Sequence, residues 1–384
     1  MKRVLIASGH LNVGGVEKSL VNLLKSIDYS KYSVDLILFE GLGDYLPDIP
    51  KEVRIINCDL RDTYGSLSGV VKKNISHPKT VYRKIILTLA NKINPDFIGL
   101  ILKHDSYDVA IAYKIGTPLD FVSYGVKAKK KCFWWHHGEY YYSDHQTHIW
   151  QKAANNIGTL VCVSESVRKI VEPVFGRCVK SIEVVPNSLD LDEIRHKAEQ
   201  NNPCRNDVRN IVSVGRFSIE KHIADCVMAA EKMIERGIVD FHWYLIGDGH
   251  QWEEINSLIH TKNLTDYFTC TGSITNPYPY MNNADLIVHP SYTESQGITV
   301  LEAMALGKSI VSVGSDGVLT FAKDGINAII ADKNLDSLVD SIEKALSMNE
   351  DQTFMMQHEA IKTAQNYSNE IIWKKVEDML TKDE

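Results

Sequence analysis

The sequence has no run of 18 apolar residues, so no transmembrane helix is expected. It has no Cys-x-x-Cys pair. Its seven cysteines are odd in number and scattered, which predicts reduced core residues of a cytoplasmic protein rather than a disulfide frame or zinc site. A G-x-x-x-x-G-K-[ST] phosphate loop and a G-x-G-x-x-G dinucleotide fingerprint are both absent. So is a His-x3-His helix pair, and neither a metal nor a cofactor is expected. The opening Met1-Lys-Arg-Val-Leu-Ile-Ala runs straight into a strand pattern without a signal-peptide apolar region.

What remains is a globular composition: 44% hydrophobic and 24% charged over 384 residues, a length suited to two domains. The net charge of −7 is unevenly distributed. Residues 1–185 hold 25 Lys and Arg against 18 Asp and Glu (+7), and the remainder holds 17 against 31 (−14). A basic first half and an acidic second half imply that one domain alone faces an anionic surface.

Both halves alternate strands with helices. In the first, strands are predicted at Val4–Ala7, Val34–Phe39, Asp108–Tyr113, Lys131–Trp135 and Thr159–Val163. In the second they fall at Asn210–Val214, Phe241–Ile246, Phe268–Thr271, Asp285–His289 and Ser309–Val313. Two α/β units with parallel sheets follow, and ligands of such sheets sit at the C-terminal strand ends. Pro186-Asn187 is turn chemistry before a polar stretch, which puts the boundary there: residues 1–187, then 188–366, with a last helix in 367–384.

Residues 63–95 carry six basic residues and no acid, interleaved with Val81, Ile85, Ile86, Leu87 and Leu89. Such a segment can lie on an anionic membrane or pack its apolar side on the first sheet, and the pattern leaves both open.

Several strand-end loops carry chemistry. Glu294-Ser295-Gln296-Gly297-Ile298 opens an apolar helix that reaches Glu302, so amides at a helix N-terminus are flanked by two carboxylates. The amides suit a phosphate and the acids suit hydroxyls. Arg216 and Lys221 follow Gly215, a fork and a point charge suited to pyrophosphate; a surface cluster with Glu220 is the bland alternative. Gly14-Gly15 lets backbone approach an anion, although any strand–helix turn can hold two glycines. Of His136 and His137, adjacent on one strand end, only one is expected to face a ligand. Gly247-Asp248-Gly249 and Gly272-Ser273 read as shape. The tyrosines of Asn276-Pro-Tyr-Pro-Tyr280 suit packing as well as contact.

Taken in order, Gly14-Gly15-x-Glu17, Trp135–Gly138, Val185-Pro-Asn187, Val214-Gly-Arg216 with Glu220-Lys221, Ile246–Gly249, Asn276–Tyr280 and Glu294-x7-Glu302 resemble glycosyltransferase family 4 over essentially the whole chain. Bacterial capsule, exopolysaccharide and O-antigen members are the nearest in pattern. The resemblance implies a GT-B architecture: two Rossmann-like domains facing across a cleft, the first for acceptor, the second for donor, with the last helix crossing back to the first. It implies a retaining, metal-independent hexosyltransferase that takes a nucleotide diphosphate sugar, a UDP-sugar as the commoner donor.

In that scheme Gly14 and Gly15 hold the distal phosphate, and Arg216 and Lys221 the pyrophosphate. Glu302 takes the ribose and Glu294 the sugar, with Ser295, Gln296, Gly297 and Ile298 completing the phosphate cradle. Gly272, Ser273 and Ile274 lie beside the base. His137 sits near the reacting sugar, with His136 and Glu139 toward the acceptor. Gln296 stands where the family commonly has Phe, which implies a more polar sugar pocket. Glu139 replaces a common Asp. The implied acceptor is a glycan, polyprenyl-pyrophosphate-linked, met at the inner face of the plasma membrane; no nucleic-acid partner is expected. Two rivals share the architecture: a nucleotide-sugar 2-epimerase and a non-catalytic partner subunit. The first leaves Gly14-Gly15-x-Glu17 unexplained. The second would be expected to lose Arg216, Lys221, Glu294 and Glu302, all present.

Overall fold

The computed structural model describes residues 1–58, 78–92 and 106–382. The chain divides into two compact units, Met1–Pro186 with Ile372–Glu384, and Asn187–Ile371.

The first unit is built on seven parallel strands: β1 (Lys2–Ser8), β2 (Tyr32–Leu38), β3 (Arg54–Asn57), β4 (Tyr107–Ala112), β5 (Ala128–Trp135), β6 (Thr159–Cys162) and β7 (Ser181–Val184). Their order is β3-β2-β1-β4-β5-β6-β7. The central strands are continuous apolar runs because helices cover both sheet faces. The order reverses between β1 and β4, so the loops after these two strands diverge and leave a crevice between them.

The last helix, Asn369–Thr381, packs on this unit through Ile372, Val376, Met379 and Leu380. Trp373 meets Tyr32 edge-on at 5.4 Å. Lys130 Nζ donates to the Met379 carbonyl at 2.6 Å, near the helix C-terminus where a cation is favoured.

The second unit has six parallel strands: β8 (Arg209–Val214), β9 (Phe241–Ile246), β10 (Phe268–Gly272), β11 (Leu286–His289), β12 (Ile310–Val313) and β13 (Ile329–Ala331). The order β10-β9-β8-β11-β12-β13 places its reversal between β8 and β11. Successive side chains alternate between two cores, as a period of two requires: Ile211, Trp243, Leu245 and Val288 on one face, Val212, Tyr244, Ile246 and Ile287 on the other. Both units are α/β with parallel sheets throughout.

The sequence pattern did not bring out β3 and β13, both short edge strands, and showed β7 only as an apolar strand of no set bounds before Pro186-Asn187. Of the basic segment, residues 63–77 and 93–95 lie outside the described residues. Within the helix Pro78–Lys92, Ile86 is buried while Tyr82 and Ile85 are exposed. Among the described residues no helix is long and apolar enough to cross a membrane.

Candidate functional site

In the second unit the chemistry gathers at the sheet's reversal point. Backbone hydrogen bonds brace the start of the loop after β8. Gly215 N–H donates to Ile246 O at 3.0 Å, Phe217 N–H to Asp248 O at 3.0 Å, and Gln251 N–H to Phe217 O at 3.1 Å. This close approach requires Gly247, at φ 144°, where a Cβ would lie 1.8 Å from Gly215 O. Gly249 is required in the same way, 2.3 Å from Phe217 O. Phe217 is buried and stacks on Trp252 at 5.3 Å. Gly247-Asp248-Gly249 therefore shapes the loop that presents Arg216 and Lys221. Arg216 is exposed and makes no ion pair among the described residues.

Glu220 takes its hydrogen bond from Ser218 Oγ at 2.7 Å rather than joining a surface cluster. Its carbonyl accepts from Ser291 Oγ at 3.2 Å, which ties the β8 loop to the β11 loop. Across that tie, Lys221 Nζ meets Glu294 Oε1 at 2.5 Å. His289 Nε2 reaches the same oxygen at 2.9 Å. Burial pushes the Glu294 carboxyl up, but the Lys221 charge and the His289 hydrogen bond outweigh it and hold it well below the usual carboxylate range. Glu294 is thus an ionised carboxylate with a side chain only 10% exposed. The sequence pointed to Lys221 and Glu294 but not to His289, which it read only as a strand residue.

Gln296 stands elsewhere than expected. Its side chain is buried and closes on Asn187, accepting from the Asn187 N–H at 2.7 Å and donating to its carbonyl at 3.3 Å. The amide that was to make a sugar pocket more polar is consumed inside the unit. Gly297 has φ 86°, and a Cβ there would meet Val318 Cγ2 at 2.6 Å, so the turn into the helix Ile298–Ala305 depends on glycine. Gly317 brings a further loop against Glu294 O, where a Cβ would lie 2.3 Å away. Glu302 is buried on that helix and accepts from Tyr278 Oη at 2.6 Å. Tyr278, one of the ambiguous tyrosines, is a packing residue that orients this carboxylate. Ser295 and Ile298 are half-buried on the same loop and helix start. Gly272, at φ 74°, ends β10 and its carbonyl accepts from Gly247 N–H at 3.0 Å, while Ser273 is exposed and Ile274 packs on the core.

In the first unit the reversal point carries a second cluster. Gly14 is half-buried and Gly15 exposed at the start of the helix Gly15–Ser26. Glu17, buried in its first turn, pairs with Lys114 Nζ and lies 3.4 Å from His10 Nδ1. Gly14 leaves room for that carboxylate, because a Cβ there would sit 2.4 Å from Glu17 Oε2.

The histidine pair separates. His136 is buried with its ring 4.7 Å from that of Tyr113, and its Nε2 has no hydrogen-bond partner among the described residues. Burial, with His137 and Lys114 nearby, pulls its pKa down to about 3, so it is neutral. An acceptor contact by His136 does not fit this placement, since alternation along the strand end turns it into the unit's interior. His137 is exposed, its carbonyl fixed by Trp135 Nε1 at 3.1 Å. Glu139 follows, half-buried. Among the described residues no group of three or more His, Cys, Asp and Glu is placed to hold a metal ion.

The loops of the second unit lie where relatives can be recognised. Residues 195–366 match the family of group 1 glycosyl transferases. The matched segment falls wholly within Asn187–Ile371 and contains Arg216, Lys221, His289, Glu294 and Glu302. The alpha-D-kanosaminyltransferase of Streptomyces kanamyceticus is 30% identical over 183 residues, 47% of this chain and 47% of that protein. The alpha-monoglucosyldiacylglycerol synthase of Acholeplasma laidlawii is 32% identical over 132 residues, 34% of this chain and 33% of that protein. The chain thus aligns with about half or less of the length of these two curated relatives. The crystal structure of Anabaena HepE in complex with UDP and glucose superposes over 100% of both chains, with a TM-score of 0.73 and 16% identity. That likeness shows the fold, GT-B.

Proposed function

We propose that this chain is a retaining glycosyltransferase of family 4 that moves a hexose or related sugar from a UDP-sugar to a lipid-linked glycan acceptor in bacterial surface polysaccharide synthesis. The observation that carries the reading is the meeting of Lys221, Glu294 and His289, on the loops after β8 and β11 at the sheet's reversal point, in a unit whose residues 195–366 match group 1 glycosyl transferases. An ionised, shielded carboxylate accepts sugar hydroxyls, and neighbouring cations take a diphosphate.

In the proposed reaction Arg216 and Lys221 hold the diphosphate and neutralise the charge it gains as the glycosidic bond breaks. Retention needs no protein nucleophile. The departing phosphate oxygen accepts the proton of the acceptor hydroxyl on the face it leaves, while that hydroxyl oxygen bonds to the anomeric carbon. Catalysis is then positioning plus charge stabilisation, with no divalent metal required because Arg216, Lys221 and helix N-termini supply the positive field. Glu302, oriented by Tyr278, is assigned the ribose, and the Gly14-Gly15 amides the distal phosphate. His137 and Glu139 are assigned to the acceptor side. The relative named for monoglucosyldiacylglycerol synthesis supports a lipid-bearing acceptor, and the basic first half supports work at the cytoplasmic face of a membrane.

A thermal-shift panel of nucleotide sugars tests the reading, because a ligand that binds only the folded state raises the midpoint by mass action. UDP and at least one UDP-sugar are expected to raise it. No response to any nucleotide or nucleotide sugar overturns the donor assignment.

A further inference from the structure

In the proposed reaction Lys221 serves the diphosphate as well as the Glu294 carboxylate it meets in the structure. In the structure its ammonium is spent on Glu294 Oε1 at 2.5 Å. As Nζ swings toward the diphosphate, its hold on this buried carboxylate weakens. What stays is His289. Its Nε2 lies 2.9 Å from the same oxygen, with the imidazole only 5% exposed. An ionised carboxylate only accepts, so Nε2 carries the proton and donates.

His289 is also held more rigidly than Lys221. It ends β11, its backbone pairs with Ser312 of β12, and Pro290 behind it restricts it to extended geometry. Lys221 reaches Glu294 on a flexible four-carbon stem from another loop.

We propose that His289 is the positioning residue for the donor sugar: it holds Glu294 by Oε1 when Lys221 moves to the diphosphate, so that Oε2 is presented to the sugar hydroxyls. The proposal rests on the donor reading above and adds a residue and an exchange of partners. It also implies that the sugar, and not the nucleotide, senses His289.

The test compares His289→Leu, which removes the donor, with His289→Gln, which keeps an N–H at similar reach. UDP, UDP-glucose and UDP-N-acetylglucosamine are titrated by calorimetry, and kcat and donor KM are measured with the nucleotide sugar that binds wild type. His289→Leu is expected to bind UDP within about twofold of wild type and to weaken the nucleotide sugar on the order of 10–100-fold, the worth of one charge-assisted hydrogen bond. His289→Gln is expected to recover most of the loss in both affinity and KM. Wild-type nucleotide-sugar affinity in His289→Leu overturns the proposal. An equal loss for UDP and nucleotide sugar also overturns it, since that marks general damage to the unit. Failure of the donor reading itself looks different: wild type binds neither UDP nor nucleotide sugar, and the proposal falls with it.

Discussion

Gln296 holds the backbone of Asn187 from both sides, accepting from its N–H at 2.7 Å and donating to its carbonyl at 3.3 Å. The pair joins the loop that carries Glu294 to the first residue of the second unit, and both residues are buried. Gln296→Ala removes both hydrogen bonds to this buried backbone, at a cost of about 1–3 kcal/mol. Urea unfolding should show a lower midpoint at unchanged m-value, while UDP affinity in the folded protein stays within about threefold. A stability within about 0.5 kcal/mol of wild type would contradict a buried, bond-forming Gln296.

Gly247 and Gly249 make the second case, where the effect is steric. A Cβ at Gly247 would lie 1.8 Å from the Gly215 carbonyl oxygen, at φ 144°, and backbone cannot rotate away as a side chain can. Gly247→Ala is expected to cost about 2–6 kcal/mol, strain and overpacking together. Gly325, at φ 70° with open space around its Cβ position, is the control: Gly325→Ala should cost only about 1 kcal/mol. Equal losses at the two positions would mean that the loop relaxes freely and that Gly247 does not shape it.

The charge stabilisation assigned to Arg216 and Lys221 predicts that Arg216→Ala or Lys221→Ala lowers kcat by roughly 10²–10³-fold. Activity should persist in excess chelator, because side-chain cations carry the field. Wild-type turnover in either variant rejects the assignment, and strict dependence on added Mg²⁺ rejects the metal-free scheme.

Membrane docking through residues 63–95 is tested by flotation with anionic vesicles. Each basic residue near such a surface contributes about 1 kcal/mol, so neutralising Lys72, Lys73, Lys79, Arg83 and Lys84 should abolish co-flotation. Binding that survives the five changes, or no binding by wild type, removes the membrane role.

The sheets were legible because their strands are long apolar runs closed by turns. Phe241–Ile246, buried at every position, is the clearest. Arg54–Asn57 and Ile329–Ala331 were not, since four and three residues at a sheet edge carry too little pattern to stand out from a loop. At the site, spacing brought out Lys221 and Glu294 as residue types. It could not show that they meet, or that His289 shares their oxygen, because those contacts depend on how two loops from different strands return. Gln296 misled for a related reason. Its place in a motif suggests a ligand, but its direction is set by Asn187, 109 positions away. The histidine pair was legible only as a choice between two residues, and the strand's alternation decided it.

That choice has a consequence in acid. His136 is buried and neutral, its pKa pulled down to about 3, against about 6.5 in an unfolded chain. Between these values the unfolded state binds a proton that the folded state refuses, so His136 makes stability fall as pH drops below about 6.5. The expected loss is about 1.4 kcal/mol per pH unit, or about 2 kcal/mol at pH 5. Asp120 opposes it, since burial pushes that carboxyl up to about 7 and makes stability fall as pH rises toward that value. Glu294 acts in a lower window, losing its contribution as pH falls through the carboxylate range and below. Comparing His136→Phe with wild type cancels both, because they are common to the two chains. Phe keeps a ring against Tyr113 and cannot titrate. Unfolding free energies from urea titrations at pH 7.5 and 5.0 should therefore differ less in His136→Phe than in wild type, by about 2 kcal/mol. Parallel acid losses in the two proteins would show that His136 takes up its proton while folded, and with it that the residue reaches solvent.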